Sequence, residues 1–212
     1  MKYFQKILRL AGPVVLIVLV SACASTEMTS RANPELEGRA FDKVLVFGKF
    51  QNLNHREVAE SEFCSNLGRL TNSECIKSSE VFFVGESQSA EQIDARVKEQ
   101  EIDAVLILQP SDSGTSSSYV PPSYETQSNA TVTGNMISGS STTYTYGGYT
   151  LNKPWAKYEV SLIAIVDGRV AWYATGQSRG NAYAGWDDLI ESATSESVKK
   201  LVSDGVLRKA DP

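Results

Sequence analysis

The sequence predicts an α/β (α+β) domain, a single mixed β-sheet with covering helices, in the order β-α-β-α-β, long insertion, β-hairpin, α. Three observations predict it. Short apolar runs rich in Val, Ile, Leu and Phe, such as Val44 to Phe47, read as strands. Apolar residues recurring every three or four positions between those runs read as amphipathic helices. Asp167-Gly168 stands between two strand-like runs and marks a hairpin. Strands and helices interleaved along one chain pack as a sheet with helices against it.

The chain has 212 residues, and 1–22 read as a secretory signal: Lys2, Lys6 and Arg9, the run AGPVVLIVLV, then small Ser21 and Ala22. A run of about ten apolar residues is shorter than the roughly 20 that a membrane-spanning helix needs, and Pro13 interrupts it. Val20-Ser21-Ala22-Cys23 resembles the bacterial lipobox. That resemblance implies cleavage before Cys23 and lipidation of its thiol, with diacylglycerol and palmitate as the lipid; the plain alternative is a secreted protein cut near a cysteine. Each buried methylene contributes about 0.8 kcal/mol, so two or more acyl chains anchor a protein stably. Ala24 stands where an aspartate would imply inner-membrane retention, so the resemblance implies anchorage on the periplasmic face of the outer membrane.

Loss of residues 1–22 leaves 17 basic against 25 acidic side chains. That balance disfavours nucleic acid as a partner, and membrane contact is expected through the Cys23 lipid instead of a basic patch. Residues 23–40, with no apolar period and with Pro34 and Gly38, are expected to be a flexible lipidated tether.

The α/β domain is expected over 41–207, with a tail at 208–212. Its first strand is VLVF, and a helix follows with Asn54 and Glu57 in capping-box spacing and Ala59, Phe63, Leu67 and Leu70 as its stripe. A second strand is expected at Glu80 to Gly85. Ser89 and Gln92 repeat the capping spacing before a helix that turns Ile93 and Val97 inward. IDAVLILQP is a third strand, stopped at Pro110. Tyr158 to Val166 and RVAWYATGQS form the hairpin, joined at Asp167-Gly168 by a two-residue turn with positive φ at both positions. Leu189, Ile190, Ala193, Ser197, Val198, Leu201 and Val202 line a closing helix that Gly205 ends in a left-handed cap.

The order KVLVFGKF, helix, EVFFV, EIDAVLILQ, YEVSLIAIVDGRVAWYATGQSRG and terminal helix resembles the periplasmic domain shared by the curli-secretion lipoprotein CsgG, the penicillin-binding-protein activator LpoB and the amino-terminal domain of TolB. Fold alone does not carry function across such a group. The resemblance implies a cell-envelope setting and a possible oligomer. In the curli-secretion relative, an insertion between equivalent strands supplies a membrane-spanning hairpin of a pore.

Cys64 and Cys75 remain after lipidation, and in an oxidising compartment an isolated pair reads as a disulfide. A zinc site would need two more ligands, and His55, the sole histidine, stands at the far end of the same helix. His55 has no nucleophile beside it in the pattern, and Asp187 and Asp188 fit a helix start by charge. No catalytic residue, metal or cofactor is therefore expected. Trp155, Trp172 and Trp186 read as packing, not as a sugar site.

Residues 111–154 depart most from an ordinary domain, being rich in Ser, Thr, Tyr and Gly, with Asp112 and Glu125 as their only acids. A long loop is either functional or a floppy excursion. Tyr119, Tyr124, Tyr144, Tyr146 and Tyr149 are the candidate binding residues, since tyrosine supplies contact area at low entropic cost. Three functions follow: a lipid-anchored, non-enzymatic adaptor that binds an envelope protein or peptidoglycan, a subunit of an oligomeric outer-membrane export pore, and an envelope hydrolase, which lacks candidate chemistry.

Overall fold

The computed structural model describes residues 24–83, 85 and 89–210. Cys23 and the signal lie outside the described residues. The strands are β1 Ala24–Ala32, β2 Lys43–Gly48, β3 Glu74–Lys77, β4 Ala104–Val120, β5 Ser123–Thr133, β6 Met136–Tyr146, β7 Tyr149–Ala164 and β8 Val170–Gly180. The helices are α1 Leu53–Leu70, α2 Ser78–Val81, α3 Ala90–Glu99 and α4 Trp186–Ser203. The fold is α+β. One mixed sheet of six strands has the order β1-β8-β7-β4-β2-β3, and β5 with β6 makes a separate two-stranded ribbon. β2 runs parallel to β3 and β4, and the other neighbours are antiparallel.

Alternation along β2 divides the core. Val44 and Val46 face the main cluster, where Phe63 and Leu67 of α1 and Leu189, Ile190 and Leu201 of α4 cover Leu106, Leu108, Tyr158, Val160 and Trp172. Leu45 faces the other way, with Val97 of α3 and Ile102 in a smaller cluster. Ser89 and Gln92 form the expected capping box of α3, but only Val97 is buried and Ile93 is exposed. At the end of α4, Gly205 has φ +72°, and the amides of Gly205 and Val206 return to the carbonyls of Val202 and Leu201. This is the left-handed cap expected there.

Several expectations are corrected. The expected tether is ordered: β1 lies antiparallel on β8 from Ala24 opposite Gly180 to Ala32 opposite Trp172, turning Ala24, Thr26, Met28, Ser30 and Ala32 toward the helices. Met28 is the one bulky side chain of that inward set, so the strand carries almost no hydropathy contrast. Residues 80–83 are not a strand. β3 forms earlier at ECIK, while Val81 and Phe82 pack against the smaller cluster from α2 and the turn after it.

The cap of α1 is Asn52, whose side chain accepts from the amides of Asn54 and His55 at 2.8 and 3.3 Å. β4 does not stop at Pro110. Its last partner on β2 is at Leu108, so Pro110 lies on an open edge, where a missing N–H interrupts no ladder, and the register shifts just beyond it. The turn after β7 is longer than two residues: only Gly168 has positive φ, and its amide bonds the Ala164 carbonyl at 3.0 Å. The start of the expected tail is held too, since the amide of Ala210 bonds the Leu70 carbonyl.

Candidate functional site

The insertion is a β-arm. Beyond the last β8 partner of β7 at Trp155, β4 and β7 continue as a two-stranded root that begins with Thr115 opposite Pro154 and ends with Val120 opposite Tyr149. Pro121-Pro122 on one strand then faces Gly147-Gly148 on the other. The Gly148 amide bonds the Val120 carbonyl at 2.8 Å, and a Cβ on Gly147 would stand 2.3 Å from the Pro121 carbonyl oxygen. Gly147 and Gly148 have φ +85° and +74°, which glycine adopts without steric cost. This elbow separates the root from the β5/β6 tip.

The tip is a hairpin of two 11-residue strands closed by Gly134-Asn135, and every residue of both strands is exposed. Its register sorts the side chains onto two faces. One pairs Tyr124 with Thr145, Thr126 with Thr143, Ser128 with Ser141, Ala130 with Gly139 and Val132 with Ile137, and it holds neither a charge nor an amide. Hydroxyls on it bond each other across the strands, Thr126 to Thr143 at 3.0 Å and Ser128 to Ser141 at 3.3 Å. Glu125, Gln127 and Asn129 occupy the opposite face, with Tyr144 directly across from Glu125.

All five candidate tyrosines are exposed, but the structure does not gather them into one patch. Tyr124 lies on the charge-free face of the tip, Tyr144 and Tyr146 on the other, while Tyr119 and Tyr149 take opposite faces of the root. Pattern reading missed the division between faces because hydroxyl-bearing residues stand on both.

The arm leaves from the end of the sheet where β1 begins. Ser25 pairs with Arg179, Arg179 with Trp155 and Trp155 with Gly114, so one row of residues joins the first turn of chain after Cys23 to the arm root. Three strand spacings of about 4.8 Å put β1 roughly 14 Å from β4 along that row. Trp155 lies across Gly114, where a Cβ would come within 2.8 Å of its ring.

Away from the arm, polar clusters have structural partners. Cys64 and Cys75 form the expected disulfide, tying α1 to β3 with Cα atoms 5.2 Å apart. His55 stacks on Trp186 at 5.2 Å, with Phe50 edge-on at 6.2 Å, as packing between two helix starts. Asp188 accepts the Gly185 amide at 2.7 Å at the start of α4. Glu60, which the sequence did not mark, is fully buried, and its Oε1 accepts from Arg56 Nε at 2.9 Å and Ser78 Oγ at 2.5 Å. No group of three or more His, Cys, Asp or Glu among the described residues could hold a metal ion, and no described helix is long and apolar enough to cross a membrane.

No protein-family model matches the chain, and no curated protein does. Among solved structures, the PelC dodecamer from Paraburkholderia phytofirmans is similar at 15% identity and TM-score 0.46, over 86% of this chain and 99% of that one. A variant PelC dodecamer from the same organism gives 14% and 0.47 over the same shares. A PDZ domain protein from Parabacteroides distasonis gives 7% and 0.34, over 84% of this chain and 36% of its own. Likenesses of this depth assign neither a family nor a partner.

Proposed function

We propose that this chain is a lipid-anchored, non-enzymatic envelope protein whose copies associate and close their arms into an export pore through the outer membrane. The observation that carries this reading is the tip: two 11-residue strands, exposed throughout, with one face free of charge and amide. A lone two-stranded ribbon is marginal in water, so the tip is built to be completed by something else. Its strand length matches the roughly 9–11 residues of a membrane-spanning strand. Lipid does not tolerate open strand edges, so a ribbon that enters it pairs with further ribbons until the sheet closes.

The position of the arm supports the same reading. A lipid on Cys23 would hold the β1 start at the bilayer, and the root is in the same row of the sheet. Mutual pairing of the threonine and serine hydroxyls lowers the cost of turning that face toward lipid. A second reading, the adaptor that grips an envelope protein or peptidoglycan, is favoured by the exposed Tyr144 and Tyr146 among small polar neighbours.

Single cysteines separate the two readings. In intact outer membranes, Q127C and N129C should react with a water-soluble maleimide, while S128C and A130C react only after denaturation. Equal reactivity at all four positions refutes the pore and leaves the adaptor.

A further inference from the structure

From Ser113 to Asn152, Glu125 is the one formally charged side chain, and among the described residues no ion pair engages it. It is exposed on β5, so it serves no buried network and neutralises no neighbour. Its register puts it on the face with Gln127 and Asn129, directly opposite Tyr144. We infer that Glu125 from each copy forms a ring of carboxylates at the domain-side mouth of the pore and makes the passage prefer cations over anions. The inference rests on the pore reading and assigns its charge selectivity.

Two arguments fix the place of the ring. The face that carries the carboxylate and the amides turns to the water-filled lumen, because Gln127 and Asn129, which lie deeper than Glu125 on that face, would stand without hydrogen-bond partners against lipid. Eight residues separate Glu125 from Thr133 at the tip turn, and at about 3.4 Å each along a strand tilted by about 35–45° they place the carboxylate roughly 19–22 Å from the turn along the bilayer normal. An apolar barrel band is about 25 Å tall. Glu125 therefore lies close to the elbow-side edge of the band, where the lumen water keeps it hydrated. Toward the tip from it, the lumen face holds hydroxyls, the amides of Gln127 and Asn129 and Met136, while Tyr144 is level with it and Tyr146 is on its domain side, and none of these opposes the ring with positive charge. Rings of Asp or Glu side chains make a pore prefer cations. Positively charged solutes would thus be favoured and polyanions repelled.

The test is the reversal potential of the full-length lipidated protein in planar bilayers under a KCl gradient at low ionic strength, where the Debye length exceeds about 10 Å. The wild type should reverse on the potassium side. E125Q should conduct with that preference lost, and E125K should reverse on the chloride side. Conductance whose reversal is the same in wild type, E125Q and E125K overturns the carboxylate ring and leaves the pore standing. If the acylated protein gives no conductance at all, both the pore reading and this inference fall.

Discussion

Replacing Glu60 by glutamine keeps the shape of the side chain and removes one charge from the most enclosed ionic contact in the domain. Oε1 takes hydrogen bonds from Arg56 Nε at 2.9 Å, Ser78 Oγ at 2.5 Å and the Gly48 amide at 3.4 Å, and Oε2 takes one from the Ser79 amide at 3.0 Å. Every contact is a donor pointing at the carboxylate, so a glutamine NH2 must face a donor whichever oxygen it replaces. In the milder orientation the Ser79 amide loses its acceptor, at about 1–3 kcal/mol. Arg56, with its side chain 14% exposed, also loses its counter-charge. Removing one member of a buried pair costs about 3–5 kcal/mol, a large share of the roughly 5–15 kcal/mol that holds a typical domain. Urea unfolding followed by tryptophan fluorescence should show a lower midpoint with an unchanged slope. The R56M/E60M double substitution should stay destabilised even though it removes the uncompensated charge, because the Gly48 and Ser79 amides lose their acceptor with Glu60. A loss below about 1 kcal/mol for E60Q would refute the view that this carboxylate locks α1, α2 and β2 together.

Further outcomes follow from other contacts. Replacing Cys64 and Cys75 together by alanine reopens a loop with a sequence separation of 11, and the chain-entropy relation puts the loss at about 2.8 kcal/mol, readable in the same urea assay. Burial pushes the Asp204 carboxyl up, but hydrogen bonds from Ser30 and Trp172 and the charge of Lys200 outweigh it, so the group ends below its ordinary value of 3.8. A carboxyl lowered by folding adds stability above its unfolded value that is lost as pH falls through the folded one. D204N should therefore show a shallower fall in stability below about pH 4 than the wild type, and an unchanged acid slope refutes the assignment. G147A should cost the elbow at least about 1–2 kcal/mol from the left-handed backbone alone, seen as reduced assembly in detergent with the melting of the six-stranded domain unchanged.

The elements legible in the sequence are those with one dry face and one wet face. α1 and α4 announce themselves through Phe63 and Leu67 and through Leu189, Ile190 and Leu201, and every one of these is buried. β4 begins where its apolar run begins, because both of its faces are covered there. β1 is invisible in the sequence because an edge strand that only half-buries Ala24, Thr26, Ser30 and Ala32 needs no large apolar side chain. Phe82 and Phe83 misled for the opposite reason. Strand propensity reports a fit to a pleated, half-buried surface, and here Phe82 fills a gap beside Leu45 and Val97 from a turn.

The arm was located by composition but not as strands. Ser123 to Tyr146 is exposed on both faces in the single chain, so a period of two leaves no hydropathy signal. What sequence could supply was the punctuation: Pro121-Pro122 and Gly147-Gly148 as paired breaks, and Gly134-Asn135 as the turn between them. Glu125 stood out as one of only two acids in the insertion, yet its face could be assigned only once the pairing with Tyr144 was known.

The size of the full-length lipidated protein extracted in mild detergent, measured by light scattering beside a variant without residues 111–154, tests the central claim most directly. Closure of arms between copies predicts a discrete particle of many subunits that falls apart, with the domain still folded, when the arm is removed. A monomer of unchanged size with and without the arm contradicts it.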